Sequence, residues 1–127
     1  MCSIAGFYDP AADFTAKQAE FEHILRQMAH TQAHRGPDDS GIFLSGQCGL
    51  SHTRLSIIDL KNGRQPMKAS MDGFDYQIVY NGEIYNLHTL RRELKKRGVH
   101  PKTSSDTETI LLSYLTFGPE FVRQLDG

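Results

Sequence analysis

The sequence predicts an α+β domain built on antiparallel strands. Several short segments are rich in β-branched and aromatic residues and are bounded by glycine, asparagine, aspartate or proline, which is typical of strands joined by turns. Elsewhere apolar residues recur at helical spacing, and the predicted helices mostly follow the strands along the chain. The length of 127 residues suits one domain with one hydrophobic core.

The amino-terminal part predicts one strand followed by one helix. Residues 2–8 form a short apolar strand, which Pro10 ends because proline fixes φ and lacks a backbone donor. Thr15 and Gln18 have the spacing of a capping box, with Thr15 as the N-cap. The apolar face of the helix contains Phe21, Ile24, Leu25 and Met28. Residues 35–37, an Arg-Gly-Pro segment, are predicted to end it.

Three further strands are predicted in the middle of the chain, at residues 41–44, 49–58 and 76–80. Asn62-Gly63 and Asp72-Gly73 separate strand-like segments, and both dipeptides are typical of tight hairpin turns. Hairpins join neighbouring strands in antiparallel fashion, so these turns predict antiparallel sheet.

The carboxy-terminal part predicts two helices. The apolar face of the first contains Leu87, Leu90 and Leu94, and Gly98 ends it in the manner of a glycine C-cap. Ser105 and Glu108 have capping-box spacing at the start of the second helix, which Gly118-Pro119 ends. Its apolar residues are Ile110, Leu111, Tyr114 and Leu115.

A short helical segment is predicted at residues 120–125, just before the last residues of the chain. Asp126-Gly127 is a turn signal, and a turn normally leads to another element. We therefore expect that the domain is truncated at this end.

The composition argues against several classes of function. A formal net charge of -1 is unusual for a nucleic-acid-binding protein, which normally has a marked basic excess. No apolar run is long enough to span a bilayer, and no secretory signal pattern is present. Cys2 and Cys48 suggest no disulfide framework, so we expect a reducing, cytoplasmic location.

Cys2 is a candidate nucleophile because of its position. Removal of Met1 would leave a thiol and a free α-amine on the same residue. The amine could then take the thiol proton directly or through one water, without help from a histidine. The alternative is that Cys2 packs as a small apolar residue at the start of a strand.

Asn81 and Gly82 are candidates for an oxyanion hole. They directly follow the strand predicted at residues 76–80, where the Asn81 amide and the Gly82 backbone N–H could both donate to a developing negative charge. The alternative is an ordinary hairpin turn, because Asn-Gly is a strongly preferred dipeptide in such turns.

Three charged residues are candidates for holding a ligand. Arg54 lies among apolar residues, and its guanidinium suits bidentate binding of a carboxylate. A structural ion pair or an edge-strand position facing water are the alternatives for Arg54. Asp106, in the first turn of its helix, and Glu83 could accept hydrogen bonds from a substrate ammonium group. For Asp106 the alternative is that it only complements the helix dipole.

Neither a metal site nor a nucleotide site is predicted. His30 and His34 have the spacing of two helical zinc ligands, but Thr31 stands where the corresponding zinc motif requires glutamate. The glycine-rich motifs that cradle nucleotide phosphates do not occur.

Six segments occur in an order that resembles a known family: CSIAGFYD, HRGPDDSG, LSHTRLSIIDL, QPM, NGEIYN and SSDTE. In this order they resemble the class II glutamine amidotransferase domain, which is an N-terminal-nucleophile hydrolase. HRGPDDSG, LSIIDL with QPM, and NGEIYN are most similar to the glutaminase half of glutamine-dependent asparagine synthetases. The resemblance spans essentially the whole chain, which is identified as residues 1–127 of an amidotransferase type 2 domain.

The resemblance implies a role for each matching residue. Cys2 corresponds to the nucleophile that attacks the side-chain amide of glutamine, and Asn81 and Gly82 correspond to the oxyanion hole. Arg54 corresponds to the residue that holds the substrate α-carboxylate. Glu83 and Asp106 correspond to groups around the α-amine. The pocket is also lined, in the family, by the backbone of Leu55, Ser56, Ile57 and Ile58.

The resemblance further implies a four-layer αββα sandwich of antiparallel sheets, part of which would follow Gly127. L-glutamine is the implied substrate, and no metal or organic cofactor is implied for this domain. ATP, magnesium and aspartate belong to the synthetase domain of the same parent chain, which is not present here. Incomplete sheets would expose strand edges through which a homodimer could form.

Two alternative functions stay open. The domain could feed ammonia to another acceptor, as in β-lactam-forming amidotransferases. It could also be an inactive binding or regulatory module that keeps the fold. Loss of Cys2, Arg54 or Asn81 would indicate such a module, and all three are present.

Overall fold

The computed structural model describes residues 2–55 and 63–127. The strands are β1 (Ser3–Tyr8), β2 (Asp39–Leu44), β3 (Cys48–Arg54), β4 (Met67–Met71) and β5 (Phe74–Ile78). The α-helices are α1 (Gln18–Thr31), α2 (Leu87–Lys96) and α3 (Asp106–Phe117). Short 3₁₀ helices cover Phe14–Lys17, Ala33–Arg35 and Pro119–Gln124.

The described chain divides into two units. The first unit contains residues 2–55 together with Arg64–Pro66 and Val79–Asn81. The second unit contains Gly63, Met67–Ile78 and Gly82–Gly127. The boundary therefore falls between Asn81 and Gly82, two residues that are predicted to act together.

The first unit is built on a three-stranded antiparallel sheet in the order β1-β3-β2. Ser3 of β1 lies opposite Thr53 of the central strand. Because successive side chains of a strand point to opposite faces, Ser51 and Thr53 share one face and His52 and Arg54 share the other. All four residues are buried, so the carboxy-terminal half of β3 belongs to the interior of the molecule.

Helix α1 packs against this sheet through the buried residues Leu25 and Ala29. Phe7, Phe14 and Phe21 form an aromatic cluster beside them, with ring centroids 4.7, 5.7 and 4.7 Å apart. Gly49 in β3 makes room for this cluster, because a Cβ at that position would overlap the Phe7 ring. The apolar face predicted for α1 is thus the face that contacts the sheet.

The second unit contains the antiparallel hairpin of β4 and β5, in which Met71 lies opposite Phe74. Asp72 and Gly73 form the two-residue turn with φ values of 53° and 80°. Positive φ at both positions is what a type I′ hairpin turn requires, so the turn predicted at Asp72-Gly73 is confirmed.

Helices α2 and α3 pack together in the second unit. The buried apolar residues there are Leu90, Leu94, Ile110, Leu111 and Phe121. Arg91 of α2 donates to the Thr109 hydroxyl at 3.0 Å and to the carbonyl oxygens of Thr103 and Ser105 at 2.9 and 3.0 Å. One side chain therefore fixes the segment that leads into α3.

The capping box predicted at Thr15 is wrong. Asp13 is the capping residue, and its carboxylate accepts hydrogen bonds from the Thr15 backbone N–H at 3.1 Å and from the Thr15 hydroxyl. In a capping box the Thr15 hydroxyl would accept from the Gln18 backbone N–H, but here it donates to the Asp13 carboxylate. The first turn is a 3₁₀ helix, and α1 begins only at Gln18.

The capping box predicted at Ser105 is also wrong in its bonding, although Ser105 does occupy the N-cap position of α3. The Ser105 side chain makes no capping hydrogen bond. Glu108 instead accepts from the backbone N–H groups of Lys102 and Thr103 at 3.0 and 2.7 Å. The carboxylate therefore stabilises the loop before the helix rather than the helix end.

The strand predictions hold for β1 and β2, with small shifts of their ends. The sequence does not predict β4, because its lysine, alanine and serine have low strand propensity, and pairing with β5 stabilises it instead. The prediction at residues 76–80 is displaced, since β5 ends at Ile78. Residues 56–58 of the third predicted strand, and Asn62 of the other predicted turn, lie outside the described residues.

Antiparallel strands combined with α-helices confirm the α+β class. Among residues 2–55 and 63–127, no helix is both long enough and apolar enough to cross a membrane.

Candidate active site

Cys2 lies immediately before β1 and is half-buried. Its sulfur accepts a hydrogen bond from the Leu55 backbone N–H at 3.4 Å and lies 3.7 Å from the Leu55 carbonyl oxygen, to which the thiol donates. The sheet register explains this contact, because Ser3 lies opposite Thr53 and the next position outward joins Cys2 to the end of β3. A backbone N–H directed at the sulfur would bind a charged thiolate more strongly than a neutral thiol.

The residue that follows Cys2 is anchored by side-chain hydrogen bonds. The hydroxyls of Ser3 and Thr53 share a hydrogen bond of 2.5 Å, and both residues are buried. The Thr53 hydroxyl also lies 3.4 Å from the Gln32 carbonyl oxygen, just after α1. These contacts fix the start of β1 to the central strand and to the end of the helix.

Arg54 is the last residue of the central strand and is only 6% exposed. Its carbonyl oxygen accepts from the Asp38 N–H at 2.9 Å, and it lies opposite Asp39 in β2. The edge-strand alternative is therefore wrong, because Arg54 lies on the central strand and is buried. A buried guanidinium needs acceptors that offset its loss of hydration, so both carboxylate binding and a structural ion pair fit its position.

Asp39 forms an ion pair with Arg64 in the first unit. The Arg64 Nε and Nη2 atoms lie 2.9 and 3.2 Å from the two carboxylate oxygens of Asp39. The hydrogen bond from Arg64 holds the pKa of Asp39 below its ordinary value, against the opposing effect of burial, and the charge of Arg54 makes a smaller contribution in the same direction. The pair attaches Arg64, and the residues directly after it, to β2.

Gln65 in turn holds the residue before Asn81. Its Oε1 atom accepts a hydrogen bond from the Tyr80 backbone N–H at 2.5 Å. The backbone of Gln65 passes so close to β2 that a Cβ on Gly41 would overlap the Gln65 carbonyl oxygen. The candidate oxyanion residue Asn81 therefore follows directly on an anchored residue.

Asn81 and Gly82 do not form a hairpin turn. They follow β5 and precede α2, and neither has the positive φ that a type I′ turn requires. Both residues are exposed. The hairpin alternative is therefore wrong, and both residues are accessible from solvent.

Glu83 lies in the second unit, on an exposed segment that leads into α2. Hydrogen bonds to residues near the end of the described chain fix this segment. The Tyr85 N–H donates to the Asp126 carbonyl at 2.7 Å, and the Asn86 side chain donates to the Gln124 carbonyl at 2.6 Å. The Asp126 N–H donates back to the Asn86 side-chain oxygen at 3.1 Å.

Asp106 is the first residue of α3 and is half-buried. Its Oδ1 atom accepts from the Thr107 backbone N–H at 2.7 Å and lies 3.4 Å from the Thr107 hydroxyl. A carboxylate in the first helical turn also interacts favourably with the helix dipole. These local contacts support the dipole alternative, and binding of an ammonium group by Asp106 stays a prediction.

The structure thus places the predicted site residues in three groups. The first unit contains Cys2, Arg54, Leu55 and Asn81, and the second contains Gly82, Glu83 and Asp106. Ser56, Ile57 and Ile58 lie outside the described residues. Within the first unit, Cys2 is in contact with Leu55 and lies next to Arg54 in the sheet register.

Three further residues of the first unit make contacts that the sequence does not predict: Asp39, Arg64 and Gln65. Asp39 and Gln65 belong to the segments HRGPDDSG and QPM, which carry the family resemblance. Their place in these two segments is the feature of the sequence that could identify Asp39 and Gln65 as site residues. Asp39 and Arg64 contribute an ion pair, and Gln65 contributes the hydrogen bond that holds Tyr80. Neither contact joins residues at a spacing that can be recognised in the sequence.

Cys48, the other cysteine, lies at the start of β3, and burial raises the pKa of its thiol. A raised pKa leaves less of the reactive thiolate at neutral pH, which supports the interpretation of Cys48 as a structural thiol. In the part of the chain that the structure describes, no group of three or more His, Cys, Asp or Glu side chains could hold a metal ion.

Comparison with known proteins yields one family and several relatives. A family model described as a glutamine amidotransferase domain matches residues 1–127. Asparagine synthetase [glutamine-hydrolyzing] 3 of Bacillus subtilis is 38% identical over 127 residues, and asparagine synthetase B [glutamine-hydrolyzing] of Escherichia coli is 40% identical over 130. Each alignment covers 100% of this chain but only 20% and 22% of the relative, so the chain spans about a fifth of the length of these relatives.

Proposed function

The chain belongs to the family of glutamine amidotransferase domains, and we propose that it hydrolyses the side-chain amide of glutamine to glutamate and ammonia. The observation that supports this most directly is the position of Cys2. Its sulfur lies at the end of the central strand, with a backbone N–H directed at it and a buried arginine next to it in the sheet register.

The first step is nucleophilic attack by Cys2. With Met1 removed, the α-amine of Cys2 takes the thiol proton, and the thiolate attacks the amide carbon of glutamine. The resulting tetrahedral intermediate carries its negative charge on the former carbonyl oxygen. The Asn81 amide and the Gly82 backbone N–H donate to that oxygen. Ammonia then leaves with the proton that the amine had taken, and a γ-glutamyl thioester remains on Cys2.

The second step is hydrolysis of this thioester. Water attacks the same carbonyl carbon while the α-amine of Cys2 takes one of its protons, and the oxyanion forms again at the same donors. The C–S bond then breaks, which releases glutamate and leaves the thiolate to regain a proton from the amine. The path thereby replaces direct attack of water on an amide by two easier steps. None of these steps requires a metal ion or an organic cofactor.

Specificity for glutamine comes from binding both charges of the amino acid. Arg54 holds the α-carboxylate, which its planar guanidinium can bind in bidentate fashion. Glu83 and Asp106 accept hydrogen bonds from the α-amine, and the backbone of residues 55–58 lines the pocket. A ligand that lacks either charge would leave buried polar groups without partners, which strongly lowers its affinity.

We further propose where the ammonia goes. The relatives are named glutamine-hydrolyzing asparagine synthetases, and this chain corresponds to about a fifth of their length. Residues 1–127 would then be the amino-terminal part of a cytoplasmic amidotransferase domain, an αββα sandwich completed by later strands. The ammonia would serve amidation of aspartate, with ATP and magnesium, in a synthetase domain of the same parent chain. A different ammonia acceptor is the second candidate, because the acceptor site would lie in that other domain.

The test is covalent labelling of the full-length protein with 6-diazo-5-oxo-norleucine, an electrophilic analogue of glutamine. Intact mass and peptide mapping should show one adduct on Cys2, and excess glutamine should prevent it. Cys2→Ala should remove the adduct, whereas Cys48→Ala should leave it unchanged. A folded protein that lacks Met1 and still gives no adduct would contradict the proposed function and favour an inactive binding module.

A further inference from the structure

Asn81 combines three features that favour spontaneous loss of its side-chain amide. A glycine follows it, it is exposed to solvent, and no described hydrogen bond holds its side chain. We propose that Asn81 is a site of deamidation, and that its conversion to aspartate or isoaspartate inactivates the glutaminase site. The inactivating effect rests on the proposed function, because that function makes Asn81 an oxyanion donor.

The residue after Asn81 leaves its side-chain carbon open to attack. Asparagine is one of the chemically labile residues of proteins. Its side-chain amide carbon is attacked by the backbone nitrogen of the next residue, and Gly82 has no Cβ to crowd that nitrogen. Both residues lie between β5 and α2, outside any helix or strand. No regular backbone hydrogen bonding therefore opposes the approach of the two groups.

The Asn81 side chain is also not fixed by its surroundings. Both Asn81 and Gly82 are exposed. Within residues 2–55 and 63–127, neither the Asn81 amide nor the Gly82 N–H forms a hydrogen bond. Tyr80, directly before them, is anchored through its N–H to Gln65. The described hydrogen bonds of this stretch thus end one residue before the labile one.

Asn86, further along the same segment, shows the opposite arrangement. Its Nδ2 atom donates to the Gln124 carbonyl at 2.6 Å, and its Oδ1 atom accepts from the Asp126 N–H at 3.1 Å. It is half-buried, and Leu87 at the start of α2 follows it. Rotation of this amide would break two hydrogen bonds, and the Leu87 side chain crowds the attacking nitrogen. The two asparagines therefore provide a comparison within one molecule.

The reaction consumes one water and releases one ammonia, without oxidation or reduction. The Gly82 backbone nitrogen loses its proton to solvent and forms a bond to Cγ of Asn81. The bond from Cγ to Nδ2 breaks, and ammonia leaves with a proton taken from solvent. Water then adds to one carbonyl carbon of the resulting succinimide and breaks the bond from that carbon to the ring nitrogen. The product is aspartate or isoaspartate at position 81.

Either product removes an oxyanion donor. A carboxylate at position 81 is ionised at neutral pH, so it only accepts hydrogen bonds and repels the negative charge of the tetrahedral intermediate. Isoaspartate also lengthens the backbone by one methylene group, which displaces the Gly82 N–H. Loss of one oxyanion donor typically lowers kcat about 100- to 1000-fold, so a converted molecule is effectively inactive.

The test is storage of the full-length protein in a mildly alkaline buffer at physiological temperature, with Asn62→Ser as the background. This substitution removes Asn62-Gly63, so that only one Asn-Gly pair remains in residues 1–127. Peptide mapping by mass spectrometry should show conversion at position 81, with Asn86 intact over the same period. The fraction of the starting kcat that survives should equal the fraction of molecules that keep Asn81.

Two variants in this background connect the chemistry to the loss of activity. Asn81→Asp reproduces one end product and should lower kcat about 100- to 1000-fold from the first measurement. Gly82→Ala keeps the backbone N–H but places a methyl group beside the attacking nitrogen. Gly82 does not have a positive φ, so alanine can adopt its backbone conformation. Conversion of Asn81 should be slower in this variant, and its kcat should persist longer relative to its own starting value.

The outcomes distinguish this inference from the proposed function. An active protein in which Asn81 stays intact as long as Asn86 would overturn the deamidation site. Conversion of Asn81 without loss of kcat would overturn the inactivating effect. A fresh sample with neither turnover nor labelling of Cys2 would overturn the proposed function and the inactivating effect together. Conversion at position 81 in that same sample would still support the modification site.

Discussion

The two units of the molecule hold their predicted site residues in different ways. In the first unit, Cys2 and Arg54 are placed by the register of an antiparallel sheet, and Asn81 follows Tyr80, whose backbone N–H donates to Gln65. In the second unit, Glu83 lies on an exposed segment, and the described side-chain contacts of Asp106 are with its neighbour Thr107. The first unit therefore places its site residues through contacts between segments distant in the sequence, whereas the carboxylate of Asp106 is held by the next residue of its own helix.

The largest effect on activity is expected at the amino terminus, because the free α-amine of Cys2 is the proposed base. A chain that retains Met1, or carries an amino-terminal extension, should have no glutaminase turnover, because an amide nitrogen cannot take the thiol proton. The measurement compares one extended protein before and after proteolytic exposure of Cys2, with both masses confirmed. Turnover by the extended form would show that another group acts as the base.

The next effect is expected at Arg54. Arg54→Lys should lower kcat/KM for glutamine about 30- to 100-fold, because lysine keeps the charge but loses the bidentate geometry, and disrupting a buried charge pair typically costs 2–5 kcal/mol. The effect should lie mainly in KM. The same exchange at the exposed Arg92 of α2 is the control. An unchanged KM would favour the structural ion pair as the task of Arg54.

A smaller effect is expected in the second unit. Asp106→Asn should raise KM for glutamine roughly 5- to 10-fold by removing one charge near the substrate ammonium group, while asparagine still accepts the local hydrogen bond. Glu20→Gln, which removes a carboxylate from the first turn of α1, is the matched control for the helix dipole. If both variants lose only a little stability and keep KM, Asp106 serves the helix alone.

Substitution of Ser3 is expected to lower the stability of the fold while leaving the proposed catalytic residues in the chain. Ser3→Ala leaves the Thr53 hydroxyl without its 2.5 Å partner and should lower the free energy of unfolding by about 1 kcal/mol. Ser70→Ala removes an exposed serine hydrogen bond and should cost less than about 0.5 kcal/mol. Urea denaturation measures both. Equal costs would contradict the idea that the start of β1 is specifically anchored.

The smallest effect is the pH dependence contributed by Asp39. Arg64 lowers the pKa of Asp39 in the folded state below the reference value of 3.8, so the pair stabilises the fold above that pH, and the contribution is lost as pH falls through the folded-state pKa. The stability difference between wild type and Asp39→Asn should therefore be constant near neutral pH and shrink below about pH 4. A difference that grows on acidification would contradict this linkage.

The sequence predicts the local elements better than the bonds that hold them. Apolar periodicity identifies α1 and α2, and Asp72-Gly73 identifies its hairpin because positive φ is required there. The apolar face predicted for α3 is wrong in part, because Tyr114 is exposed while Thr109 and Ser113 are buried beside Ile110 and Leu111. The two capping boxes fail because the Thr15 hydroxyl donates to the Asp13 carboxylate and the Glu108 carboxylate accepts from N–H groups of the loop before α3. The β4 strand fails because only its pairing with β5 stabilises it.

The residues of the candidate site also differ in whether the sequence alone can identify them. Cys2, Arg54 and Asn81 can be proposed from their chemistry and their place in recognisable segments. Asp39 and Gln65 cannot, because their contributions are hydrogen bonds between residues distant in the sequence. Such contacts depend on strand register and on the path of residues 64–66, neither of which leaves a periodic signal.

The contact between Cys2 and Leu55 has a consequence for how this family can diversify. The sulfur is held by the N–H and the carbonyl of residue 55, groups that every amino acid except proline supplies. Exchanging the Leu55 side chain therefore leaves the nucleophile where it is. Variation of the side chain at position 55 is therefore compatible with both contacts, whereas proline would remove the N–H group from which the sulfur accepts.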